Sequence, residues 1–235
     1  MRVIAGLIFA CFVLSAGVMI WDYFGTSGRQ TGQNFPQTET FRIVTMGTSL
    51  TARGIWPEVV QEVVAQCSNR RVDLVRVAKS GERSDWGLEH LDEAIVVKPD
   101  LLLIEFAVND ADMRDGLWPW QSLINHRAIV EGARGALPET EIWLIRSSPA
   151  FGARGLTRLP RPVYRRLYGL LAVQQDIGLL DTRPAWRLFL RDHDRREALP
   201  DDLHPTAWAD QMVTGRVVSG AICRRLNKKQ INESD

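Results

Sequence analysis

From Phe41 onward, short apolar runs alternate with longer amphipathic stretches. The short runs are "FRIVTMG" (Phe41 to Gly47), "VDLVRVA" (Val72 to Ala78), "DLLLIEFAV" (Asp100 to Val108), "EIWLIRSS" (Glu141 to Ser148) and "IGLLDTR" (Ile177 to Arg183). Several are nearly continuous, as strands covered on both faces require. Between them, "WPEVVQEVVAQC" (Trp56 to Cys67) sets Val59, Val60, Val63, Val64 and Cys67 at helical spacing, with Pro57 in its first turn. Leu123 to Leu137, Val163 to Gln175 and Ala207 to Leu226 carry the same period. Strand alternating with helix predicts an α/β domain, a five-stranded, mainly parallel sheet sandwiched between two helical layers.

The first residues follow another pattern. After Arg2, Val3 to Trp21 is a run of nineteen residues without a charge. That is close to the roughly 20 that a helix needs to cross a bilayer. The reading preferred for residues 1–24 is an uncleaved N-terminal transmembrane anchor, with a cleaved signal peptide as the alternative. Arg2 keeps the amino terminus cytoplasmic, so the domain is expected outside the cytoplasm, in the periplasm, or secreted if cleavage occurs. Residues 25–40, rich in Gly, Thr and Gln, have the composition of a flexible linker. The folded domain is expected over 41–228, and 229–235 reads as a polar tail.

The length beyond the linker suits one domain. With 29 basic and 28 acidic residues, the net charge of +1 gives no reason to expect a nucleic-acid partner. Three cysteines are present, and none has metal-ligand spacing. Cys67 and Cys223 fall in helical patterns of the domain. An oxidising compartment would permit a bond between them, but two separate buried thiols is the simpler expectation. No metal and no cofactor is implied.

In parallel sheets reactive groups gather beyond the carboxyl ends of the strands. Those positions hold Ser49, Gly81, Asn109 and, in the loop before the last helix, Asp201 and His204. Singly each has an ordinary reading. Ser49 suits a helix cap or turn, Asn109 a loop, Asp201 and Asp202 an exposed loop, and His204 the surface. Together they supply a nucleophile, a base, a carboxylate to orient the base, and donors for an oxyanion.

The four blocks "GTSL", "AKSG", "AVND" and "DDLHP" resemble, in order, those of the SGNH/GDSL hydrolases, a family of serine esterases and lipases. The resemblance spans Phe41 to about Val218. It implies a flavodoxin-like three-layer α/β/α fold and an acyl-enzyme on Ser49. His204 would be the base and Asp201 its partner, with Ser49, Gly81 and Asn109 forming the oxyanion hole. Two positions depart from the pattern. Thr48 stands where the family has Asp, which would alter the hydrogen bonding of the turn. Ala107 replaces Gly, and its methyl would narrow the site.

The expected activity is hydrolysis of a carboxylic ester, an O-acetylated glycan or a lipid ester. Transfer of the acyl group to a sugar and silent binding of envelope glycan are the alternatives. The partners implied are that substrate and, through the N-terminal helix, a membrane; the oligomeric state is left open. His90 and His126 read as surface or partly buried residues, and His193 as part of a solvated charged loop. Asp110 is expected to support the Asn109 loop and Asp112 to be solvated. The six arginines from Arg146 to Arg166, with no acid among them, read first as a basic surface loop, second as a site for a phosphate or uronate, and third as a contact with anionic lipid. Trp86, Trp118 and Trp120 fall near the same edge, where tryptophan stacks on a sugar, holds an acyl chain or packs in the core.

Overall fold

The structure, a computed structural model, describes residues 40–234. The N-terminal anchor and nearly all of the linker expected from the sequence lie outside the described residues. Among the described residues, no helix is long and apolar enough to cross a membrane.

Among the described residues, five strands form one sheet: β1 (Thr40–Gly47), β2 (Arg71–Ala78), β3 (Leu101–Glu105), β4 (Glu141–Arg146) and β5 (Gly178–Asp181). All neighbours pair in parallel, in the order β2-β1-β3-β4-β5. In register, Gly47 stands opposite both Ala78 and Glu105. Three strands therefore end level, and their loops open at one edge.

The period of two decides the layers. Ile43, Leu101, Leu103 and Ile145 face helices α1 (Trp56–Ser68) and, at the chain end, Arg216–Ser234. Val44, Met46, Leu102, Ile104 and Leu144 face the other layer. That layer holds α2 (Ser84–Glu89), α3 (Leu91–Val96), α4 (Pro119–Ala136) and α5 (Arg161–Gln174). Helix α6 (Arg183–Asp192) follows β5, and α7 is Arg216–Ser234. Helix α7 runs through the segment that the sequence set apart as a polar tail.

Three local departures from the sequence reading have physical causes. Strand β3 stops at Glu105 instead of Val108, because the Tyr168 hydroxyl accepts the N–H groups of Phe106 and Ala107 and draws them off the ladder. The single helix expected over Ala207 to Leu226 divides into a turn (Ala207–Asp210), a π-helical turn (Gln211–Gly215) and α7. There the Asp210 carboxylate accepts the N–H of Trp56, at the start of α1. The third departure corrects the expectation of two separate thiols. Helices α1 and α7 pack side by side, Cys67 and Cys223 have Cα atoms 5.9 Å apart, and the two are joined in a disulfide.

Candidate active site

Strand β1 delivers the serine. At Gly47 an added Cβ would lie 2.4 Å from the Thr51 hydroxyl and 2.9 Å from the Glu105 carbonyl, so no side chain fits under the turn. Thr48 then caps the one-turn helix Ser49–Ala52: its Oγ1 accepts the Leu50 N–H at 3.2 Å. The same hydroxyl donates to Glu105 Oε2 at 2.8 Å. Thr48 is thus the cap, and Ser49 is left at the first helical position to face the cleft. Glu105 is nearly sealed, and its Oε1 has no hydrogen-bond partner among the described residues. Burial pushes its carboxyl up from 4.5 to about 7, against the hydrogen bond from Thr48.

The loop before Ala207–Asp210 brings the histidine. Asp202 sits in the left-handed region at φ 64, which Asp tolerates. Its N–H donates to the Leu199 carbonyl and its carbonyl accepts the Phe151 N–H. The turn so fixed folds Asp201 back over its neighbours. Asp201 Oδ1 accepts the N–H groups of Leu203 and His204 at 3.1 and 2.7 Å. Asp201 Oδ2 meets His204 Nδ1 at 2.6 Å, and His204 Nε2 meets Ser49 Oγ at 2.7 Å. A proton on Nδ1 satisfies the carboxylate, which leaves the Nε2 lone pair to accept from the serine O–H. Burial raises the Asp201 carboxyl, but the hydrogen bonds from the His204 ring and main chain outweigh it and hold Asp201 at about 2. Arg154 adds an ion pair to the same oxygen at 3.2 Å.

Gly81, in the loop after β2, adopts φ +89, and no atom lies within 4 Å of where its Cβ would be. Conformation, not space, calls for glycine there. Asn109 lies in the one-turn helix Ala107–Asp110 and is buried. One hydrogen of its Nδ2 goes to the Glu82 carbonyl at 2.9 Å, which leaves the second available, while Arg158 Nη2 approaches its Oδ1 at 3.5 Å. Ser49, Gly81, Asn109 and His204 line one cleft of about 270 Å³. A larger cavity of about 540 Å³ at the opposite edge of the sheet, beside Asp100 and Glu141, has no serine or histidine in its wall. Among the described residues no group of His, Cys, Asp or Glu could hold a metal ion.

The supporting groups differ from several sequence expectations. Asp110 is sealed and accepts from the Ser84 N–H and the Ser122 hydroxyl, so it does anchor the loop. Asp112 is buried rather than solvated, because Arg114 and Arg158 both pair with it, at 2.7 and 2.8 Å. His126 is fully buried. Its Nδ1–H donates to the Ser122 carbonyl, and its Nε2 accepts from the Tyr168 hydroxyl that holds Phe106 and Ala107. Burial lowers its pKa, consistent with a neutral ring. Ala107 does not line the cleft. The arginine run is no simple surface loop either. Arg158 and Arg161 are buried, and Arg161 is pushed down to about 9 by burial and by Arg165 and Arg158. His193 is exposed, against Phe189 and Trp208, and Trp86 is half-buried on His90.

One residue of this shell, Glu105, had gone unremarked in the sequence, and a second, Arg158, was noted only as part of the arginine run. Glu105 did leave a trace, as the one acid inside the apolar run Leu101 to Val108. For Arg158 the arginine run was the signal, but its buried pairing with Asp112 depends on a loop returning to the end of β3.

Comparison with known proteins agrees with this geometry. Residues 44–211 match the model of the GDSL-like lipase/acylhydrolase family. No protein of curated function matches the chain. Among solved structures, the chain is similar to a lipase/acylhydrolase from Enterococcus faecalis, with TM-score 0.66, 20% identity, and 79% of this chain and 96% of that one covered. It is also similar to an acetylxylan esterase from Geobacillus stearothermophilus, with TM-score 0.65, 16% identity, and 79% and 94% covered. For TesA the TM-score is 0.58 at 22% identity, over 77% and 99% of the chains. These likenesses are in fold, while the family match covers most of the domain and all four blocks lie within it. With that match and the serine, histidine and aspartate gathered at one strand edge, the chain belongs to the GDSL-like lipase/acylhydrolase family, as a serine esterase-type hydrolase.

Proposed function

We propose that the protein hydrolyses a carboxylic ester through an acyl-enzyme on Ser49. His204 takes the Ser49 proton as the hydroxyl attacks the carbonyl, and returns it to the leaving alcohol. Asp201 orients the ring and stabilises its charged form. The N–H groups of Ser49 and Gly81 and the second Asn109 Nδ2 hydrogen meet the oxyanion. A water, deprotonated by His204, then releases the acid and frees Ser49. The observation that carries this reading is the continuous hydrogen-bond chain from Ser49 through His204 to Asp201, at 2.7 and 2.6 Å.

The favoured substrate is a short-chain ester of a polyhydroxylated alcohol, such as an O-acetylated glycan, because the cleft wall is polar apart from Leu203. A lipid ester is the second reading. It is favoured by an apolar groove of about 470 Å³ beside the cleft, bordered by Met113, Trp118, Pro160 and Tyr164. Transfer to a sugar would use the same acyl-enzyme, and product analysis with and without added polyol separates the two. The proposed location is outside the cytoplasm, on an N-terminal anchor, and the Cys67–Cys223 bond supports an oxidising compartment. The test is a series of p-nitrophenyl esters of rising chain length, followed by acetylated glycans. Acetate should be the preferred acyl group, and preference for long chains would favour the lipid reading instead.

A further inference from the structure

We infer that the cleft over Ser49 selects esters whose alcohol part carries an anionic group, a carboxylate or a phosphate. The inference rests on the esterase reading above and narrows its substrate class. Four arginines line the cleft, Arg53, Arg114, Arg154 and Arg158, against two aspartates, Asp112 and Asp115. They are not equivalent. Arg158 is 5% exposed and committed, its Nε to the Val108 carbonyl and its Nη2 to Asp112. Asp112 also takes Arg114 on both of its oxygens, at 3.0 and 2.7 Å. One carboxylate thus serves two guanidiniums, and the Arg114 side chain remains 61% exposed.

Arg53 and Arg154 are the groups best placed for a ligand. Arg53 is exposed, and its side chain makes no hydrogen bond or ion pair among the described residues. Its N–H donates to the Ser49 carbonyl at 3.0 Å, so the side chain starts one turn from the nucleophile. Arg154, from the helix Gly152–Leu156, reaches Asp201 and so stands on the histidine side, 42% exposed. Two cations from separate segments therefore flank the Ser49–His204 pair; Arg154 is already balanced by Asp201, so Arg53 is the cleft arginine that no carboxylate pairs with among the described residues. In a cleft such charges add and attract counter-ions to the reacting centre. A guanidinium fork fits the paired oxygens of a carboxylate or phosphate.

The test compares three substrates that share one ring and one acetyl ester: an acetylated methyl glucoside, the corresponding glucuronide, and the corresponding sugar phosphate. For the purified full-length protein at low salt, kcat/KM for at least one acidic substrate should exceed that for the glucoside by about tenfold or more. Half-molar salt should shrink that ratio, since surface charge is screened beyond about 3 to 5 Å there. Arg53→Gln should cut the ratio about tenfold, and Arg53→Lys should restore part of it. Which acidic substrate is preferred identifies the group. A wild-type ratio near one or below, or a ratio that Arg53→Gln leaves intact, overturns this inference while leaving the esterase reading standing. No hydrolysis of any of the three, together with no turnover of p-nitrophenyl acetate, overturns both.

Discussion

Glu105 is a buried carboxyl beneath the Ser49 turn, and replacing it with Gln gives a prediction whose size follows from its environment. The wild-type carboxyl is raised from 4.5 to about 7 in the folded state, first by burial, with one oxygen left unpartnered. A group raised on folding contributes stability below its unfolded pKa, and that stability is lost as pH climbs through the folded value. The window here is therefore pH 4.5 to about 7. At about 1.4 kcal/mol for each tenfold in proton affinity, the ionised form above it costs about 3 kcal/mol. Glu105→Gln keeps the shape and the acceptor for Thr48 but cannot ionise. Wild type and variant should match within about 1 kcal/mol at pH 4, and the variant should be more stable by about 3 kcal/mol at pH 8. Urea unfolding at both pH values measures this, and the wild-type-minus-variant difference cancels the similar slope from Asp210, which burial raises to about 6. A variant that keeps the wild-type pH slope, or is weaker at pH 8, would refute the reasoning.

Asn109→Ala should lower kcat by about 10² to 10³ with KM little changed, because the side-chain donor acts on the oxyanion and not on the bound ester; unchanged kcat in steady-state assays would remove Asn109 from the hole. Reduction of Cys67–Cys223 opens a bond spanning 156 residues. The loop-entropy model puts that at about 5 kcal/mol, so calorimetry should show Tm falling by roughly 10 °C. A Tm unmoved by reductant would show that the bond adds nothing. Protease added to spheroplasts should digest the domain if it lies outside the cytoplasm, and protection would contradict the proposed topology.

Much of the fold is legible in the sequence because strands covered on both faces are continuous apolar runs, and all five were found within a few residues of their ends. The four site blocks were legible because each lies just past a strand or helix boundary. What escaped was set by partners distant in the chain. The end of β3 depends on the Tyr168 hydroxyl, from α5, taking two main-chain N–H groups. Asp112 looks solvated until Arg158 folds back beside it, and His126 looks ordinary until Tyr168 and Ser122 enclose it. The disulfide depends on α1 and α7 lying side by side, which no spacing reveals. Helices α2 and α3 were missed because each has only six residues, too few to show a period.

The central claim is that Ser49 is the nucleophile and that His204 activates it. Intact-mass analysis after exposure to a fluorophosphonate tests it most directly, with the modified peptide sequenced. The account predicts one adduct, on Ser49, none in Ser49→Ala, and labelling slowed by orders of magnitude in His204→Ala. An adduct on another serine, or ester hydrolysis that survives in Ser49→Ala, would contradict it.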